Sequence, residues 1–204
     1  MSTATIIAQA LGVAYAAGIS PYATVALLGL ARRMEWVGPL PGGLDVVASP
    51  WVLGIAALLY AVEFTATLVP WVASAWETVH SLIRPPAAAL LAVLTAWQGD
   101  PSVAILAGVL GGGLGLATHT TKLGLRYTID SSPEPVSNGA ANVGEFGVIA
   151  ALGYFLWEHP WVSLALALVL LGVMLTLVVM LWHTFRRAIG LLRRPGRREA
   201  PAGG

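Results

Sequence analysis

ATIIAQALGVAYAAGISPYATVALLGL, residues 4–30, carries no charged side chain and is long enough to cross a bilayer as one helix, yet GISPY at 18–22 interrupts it. Gly18 loosens a helix, and Pro21 has no backbone donor and crowds the carbonyl four residues back. Ser20 followed by Pro21 is also how a helix starts: a side-chain oxygen to cap, then proline where no donor is needed. Two readings follow. Either the span is two half-helices meeting at Gly18-Ile19, the second aiming its free N–H groups and positive dipole end into the membrane interior, or it is a proline kink packed against small residues. Broken backbone survives in a membrane only inside protein or beside a water-filled cavity. The first reading therefore makes Ser20 and Pro21 candidates for binding a substrate or ion.

The rest of the chain has the composition of something that lives in lipid. Of 204 residues, 57% are hydrophobic and 10% charged, against about 25% charged in soluble domains; mean hydropathy is +0.77. The absence of cysteine excludes disulfides, thiol catalysis and Cys-ligated metals. Ala14-Tyr15-Ala16 has the small-x-small pattern of a signal cleavage site, but residues 1–13 hold no Lys or Arg, so cleavage is not expected. One membrane domain is expected over residues 1–185, followed by a basic, disordered tail at 186–204.

Apolar segments at 4–31, 51–69, 87–97, 103–123, 140–157 and 162–181 predict an all-α membrane protein of about six spans. The third segment is short and must borrow residues from Ser81 onward or span only in part. Trp51, Trp71, Trp97, Trp157, Trp161 and Trp182 fall at predicted ends, as an interfacial belt requires. With both termini inside, the inner side would hold nine Lys and Arg, including six between Arg186 and Arg198, and the outer side only Arg32 and Arg33. This predicts cytoplasmic termini, with the tail against anionic lipid headgroups rather than nucleic acid.

The two halves, 4–98 and 102–183, echo each other. Glu63-Phe64, Trp76-Glu77 and Ser81-Leu82 recur as Glu145-Phe146, Trp157-Glu158 and Ser163-Leu164, with spacings of 13 and 5 residues against 12 and 6. Three spans per half would invert the second copy, as in transporters with a midplane site. In that repeat GGGLG, residues 111–115, would be the second helix break.

Glu63 and Glu145 lie within predicted spans, where an ionisable group normally faces the bundle and does a job; the alternative is a protonated glutamate acting as glue. His119, beside three threonines, is a candidate relay or a satisfied core histidine. Lys122, one turn on, reads as a snorkelling side chain. Residues 131–138, SSPEPVSN, read as a rigid turn in which Ser137 or Asn138 caps the fifth span and Glu134 faces the cytoplasmic mouth near Arg126. Residues 70–85 read as an amphipathic interfacial helix ending at Arg84, with Trp71, Ala75, Val79 and Leu82 on one side and Glu77, His80 and Arg84 on the other. His80, Arg84, Glu134 and Asn138 are accordingly the expected residues of the mouth.

GISPY, LYxxEF at 59–64, WxxxHxxIRP at 76–85 and SPEPxSN at 132–138 together resemble the bacterial membrane family catalogued as domain of unknown function 4126, over roughly residues 10–182. The resemblance implies a multi-pass inner-membrane protein and little chemistry. Where that family tends to follow Glu-Phe with an Ala-Asp-Lys-like run, this chain has Thr65-Ala66-Thr67-Leu68, and Phe146 stands where the second glutamate is often followed by Asp.

The function expected is a small solute or ion transporter or channel with Ser20, Pro21, Glu63, His119 and Glu145 around a midplane site. The alternative is a non-transporting scaffold or assembly factor. No HExxH, GxSxG or glycine-rich phosphate loop occurs, and His80, His119, His159 and His183 are scattered, so no enzyme, metal or cofactor is expected. Partners expected are the bilayer and a second copy of the chain.

Overall fold

Pro21 separates two helices. A computed structural model describes residues 2–97, 100–130 and 135–192 of the chain, beginning with α1 (Thr3–Ile19) and α2 (Pro21–Arg33). Ser20 between them is extended, at φ −154° and ψ 111°. Its N–H closes α1 on the Ala16 carbonyl at 3.0 Å, and its hydroxyl oxygen accepts the Ala23 N–H at 3.2 Å to open α2. The backbone is thus broken at a cap, not merely kinked. Ala23 N–H would have bonded the Ile19 carbonyl in a continuous helix, so that carbonyl is left for a tertiary partner.

A short 3-10 turn (Leu44–Ala48) leads to α3 (Pro50–Ala66), α4 (Pro70–His80), α5 (Arg84–Ala96), α6 (Pro101–Asp130), α7 (Pro135–Glu158) and α8 (Pro160–Leu192). All regular structure among the described residues is helical. Six of the eight α-helices start on a proline and α5 carries prolines just inside its start, positions where the missing N–H costs nothing. Stretches within α6, α7 and α8 are each long and apolar enough to cross a membrane, and α4 with α5, bent by 51°, makes a fourth if counted as one span. Helices α1 and α3 are apolar but reach only 17 residues each. Length and composition therefore support three or four of the six expected spans.

Three expectations change. Residues 111–115 do not break α6, which runs through them unbroken. Their missing side chains serve packing: a Cβ on Gly111 would meet the Ala92 Cβ at 2.5 Å and the Ala14 Cβ at 3.2 Å. Residues 70–85 do not form one interfacial helix either, because α4 stops at His80 and α5 starts at Arg84. The faces of α4 are as read from the sequence, but Glu77 and His80 point into the bundle while Trp71 and Val79 are exposed. The polar face found protein, not water. Finally, α8 continues past Trp182 to Leu192, so the helix carries Arg186 of the basic segment, its guanidinium 5.1 Å over the Trp182 ring.

Helix α1 is the centre of the bundle. It packs on α5, α6, α7 and α8, with Ala10, Val13, Ala14 and Ala17 meeting Ala88, Leu91 and Ala92 of α5 and Ala107 of α6. On its other side Tyr15, Ala16 and Ile19 meet Ile149 and Leu152 of α7 and Ala167 of α8. Small residues let these backbones approach closely, which in lipid is the main attraction available. The overall pattern is inverted relative to a soluble protein. Ile55, Leu58, Ile105, Val109, Leu168 and Val169 are exposed, whereas Glu63, Glu77, Arg84, His119, Lys122 and Arg126 are buried.

A Cβ on Gly18 would lie 2.8 Å from both the Gly115 carbonyl oxygen and the Thr118 Cβ, while one on exposed Gly113 meets nothing within 4 Å. Gly18→Ala should therefore lower stability by about 1–3 kcal/mol, seen as a lower melting temperature in detergent. Gly113→Ala should leave it unchanged or slightly raised.

Candidate functional site

Six charged side chains meet where the α1–α2 break faces α3 to α7. On α6, His119, Lys122 and Arg126 recur at the three- and four-residue intervals that stack side chains on one face. Asn138, Asn142 and Glu145 do the same on α7. Glu63 comes from α3, Glu77 from α4, and Arg84 from the first turn of α5.

Arg84 is completely buried and is the hub. Its Nη2 reaches Glu63 Oε1 at 2.5 Å and Glu77 Oε1 at 3.1 Å, and its Nη1 binds Glu77 Oε2. Lys122 Nζ lies 3.1 Å from Glu77 Oε1, 2.8 Å from Glu145 Oε2 and 3.9 Å from Glu63 Oε1. It also donates to the Ile19 carbonyl at 2.8 Å, the group released by the helix break. Arg126 holds Glu145 Oε1 through Nη2 at 3.1 Å, and its guanidinium binds the Asn138 and Asn142 side-chain oxygens. Ser20 donates its hydroxyl to Glu63 Oε2 while accepting from Ala23. Three carboxylates thus face three cations, and ionised together they cancel.

The histidines are fixed by what they touch. A guanidinium only donates, so the 3.0 Å contact from Arg84 Nη1 makes His119 Nδ1 an acceptor. His119 is therefore neutral, with its proton on Nε2, which faces Ser81 Oγ at 2.9 Å. His80 is the opposite tautomer: Nδ1 donates to the Trp76 carbonyl at 2.7 Å, and Nε2 is left to accept from the Tyr22 hydroxyl at 3.2 Å.

Ser20, Glu63, His119 and Glu145 are all brought into this cluster. Pro21 lies buried beside it and shapes the break without offering a polar atom. Arg84 and His80 were expected at a cytoplasmic mouth; Arg84 instead sits in the centre, because two carboxylates neutralise it there. Asn138 does not cap α7, which begins earlier at Pro135, and its amide oxygen turns to Arg126 at 3.2 Å. Glu134 lies outside the described residues.

Glu77, Lys122 and Arg126 are functional candidates that reading along the chain missed. Lys122 does not snorkel; only 3% of its side chain is exposed. The available signal was numerical: three acids and three bases in apolar surroundings, with the α6 bases at helical spacing.

Two cavities touch the cluster. One, of only about 10 Å³, lies between Ser20, Glu63, Lys122 and Glu145, at the limit of what holds a single water. The other, about 230 Å³, is lined by Lys122, Arg126 and Glu145 and, over most of its surface, by apolar groups that include Ile19, Leu125, Val148 and Leu170. Glu145 borders both, and its side chain is 25% exposed while the other five are at most 5%.

Residues 7–180 match the model of the family described as Domain of unknown function (DUF4126), and the chain belongs to that family. No curated protein and no solved structure matches it.

Removing Arg84 leaves Glu63 and Glu77 without their shared partner. Arg84→Met should cost about 3–5 kcal/mol, the scale for stripping one member from a buried ion pair. Adding Glu77→Gln restores equal numbers of acids and bases and should recover part of that loss. Thermal melts of both variants in the same detergent measure this.

Proposed function

We propose that this DUF4126-family chain is an integral membrane carrier of a small solute or ion, with the six-charge cluster as its midplane site. The observation that carries the reading is the meeting of three carboxylates and three cations at a broken helix inside an apolar bundle. Ionisable groups at such depth are costly and by default functional. Broken helices beside them are how carriers present backbone groups to a substrate. In the full arrangement, α1 with α2, α3, α4 with α5, α6, α7 and α8 are six membrane crossings in a cell membrane. Both termini then lie in the cytoplasm, with the basic segment from Arg186 against anionic headgroups. Arg84, Lys122 and Arg126 are buried and so drop out of the charge count, but the six later arginines still outnumber Arg32 and Arg33. Glu63 and Glu145 approach one lysine from α3 and α7, which supports inverted halves although the helix break is not duplicated.

A non-transporting scaffold is the second reading. The tightness of the space between Glu63 and Glu145 favours it.

Access to water separates the two. The chain has no native cysteine, so Ser20→Cys in proteoliposomes can be probed with a small membrane-impermeant thiol reagent from each face in turn. An exposed loop position, Gly38→Cys, reports the reagent itself. A carrier must expose its midplane alternately, so modification of Ser20→Cys from both faces is expected. Modification from one face only, or from neither, overturns the carrier reading.

A further inference from the structure

We propose that the cavity beside Glu145 takes a small monocarboxylate together with one proton, the incoming carboxylate replacing that of Glu145 on Lys122 and Arg126. This rests on the carrier reading for its purpose, but the site stands on its own geometry.

The two cations already hold a carboxylate. Glu145 bridges them, Oε2 at 2.8 Å from Lys122 Nζ and Oε1 at 3.1 Å from Arg126 Nη2. A cradle that fits this group fits the same group on a solute. Glu145 is also the one carboxylate of the cluster with a partly exposed side chain, and it fronts the larger cavity. Arg126, whose side chain is 1% exposed, has an Nε with no hydrogen-bond partner among the described residues. A buried guanidinium donor left over in this way is a place for another acceptor. Apart from Tyr15, the remaining walls are aliphatic or glycine, with Ile19, Leu125, Val148 and Leu170 the largest. The cavity has a volume of about 230 Å³, many times the roughly 10–15 Å³ that one water needs. That suits a charged head with a short alkyl body.

Charge conservation supplies the proton. The cluster is neutral with Glu63, Glu77 and Glu145 ionised against Arg84, Lys122 and Arg126. An anion entering a buried site without compensation would leave one net negative charge shut away from water, which is strongly unfavourable. If the Glu145 carboxylate takes a proton from the aqueous phase, an O–H bond forms, its hold on the cations weakens, and the incoming carboxylate restores neutrality. The groups facing Glu145 allow this. They are Lys122 and Arg126 from α6, Tyr60 and Glu63 from α3, Ser20 at the break, and Asn142 on its own helix. Tyr15 of α1 lies across the larger cavity, and among the described residues α8 offers Leu170 there. Arg84 and Glu77 act from behind Lys122. Glu63 and Glu77 stay tied to Arg84, which does not border the cavity, so Glu145 is the exchangeable acid.

Titration calorimetry with sodium butyrate, on purified protein in detergent and in two buffers of different ionisation enthalpy, tests this. Wild type should take up about one proton per butyrate bound. Its affinity should fall as pH rises, by up to about tenfold per pH unit, as uptake of one proton per anion requires. Glu145→Gln mimics the protonated acid and should bind butyrate with no proton uptake and little pH dependence. A residue that merely holds the fold would not give that result. Lys122→Met should lose binding. No butyrate binding in either wild type or Glu145→Gln, or binding without proton uptake in wild type, overturns the proposal. Equal binding of nitrate overturns the carboxylate assignment, and tighter binding of laurate overturns the short body. If Ser20→Cys is labelled from both faces but butyrate does not bind, the carrier stands and this substrate class falls. Proton-linked butyrate binding without that labelling leaves the site and removes the carrier.

Discussion

Arg84 and the carboxylates that surround it set the terms for everything near the centre of this bundle. A guanidinium with no exposed surface loses its hydration, a penalty of several kcal/mol even after relaxation. It is tolerated because Glu63 and Glu77 bind its two terminal nitrogens, and each of those acids is tied to a different helix. Arg84 sits in the first turn of α5, where the helix dipole disfavours a cation, so the acids must offset that as well. Lys122 and Arg126 repeat the logic on α6 with Glu77 and Glu145. The result is a cluster whose net charge is zero but whose every member depends on the others. α3, α4, α5, α6 and α7 are held in register by it, and lipid could not replace any of the partners.

The break at Ser20 and Pro21 is part of the same arrangement. Proline ends the ladder of α1, Ser20 caps α2, and the displaced Ile19 carbonyl becomes a ligand for Lys122. The serine hydroxyl accepts from Ala23 and donates to Glu63 at once, so it links a helix start to a carboxylate. Gly18 precedes the break because α6 passes close enough there that a methyl group would strike Gly115 and Thr118. Backbone irregularity, close helix packing and buried charge are three views of one local solution.

Within the cluster the two ends differ. Around Glu63 and Glu77 packing is tight and the side chains are nearly or fully sealed. Around Glu145 there is volume and partial exposure. Sealed pairing on one side and partly open pairing on the other thus meet within one cluster. The asymmetry lies across Lys122, the residue common to both sides.

Much of the architecture was legible in the sequence because lipid imposes simple rules. Apolar runs located the helices, Ser20-Pro21 located the break, and Glu63 and Glu145 marked the interior, since oil tolerates neither open backbone nor unpaired charge. The glycine run at 111–115 misled, because glycine permits both a break and a close approach, and only the presence of Ala14, Ala88 and Ala92 opposite it decided for packing. Lys122, Arg126 and Glu77 misled for a similar reason: a charge near the end of an apolar segment satisfies water and a buried partner equally well along one dimension. By itself, then, the sequence determined which segments are apolar helices and that Ser20, Glu63 and Glu145 needed shelter. Which acid meets which base was decided only by the tertiary structure, because pairing energy in a low-dielectric interior depends on distances between helices that no single segment encodes.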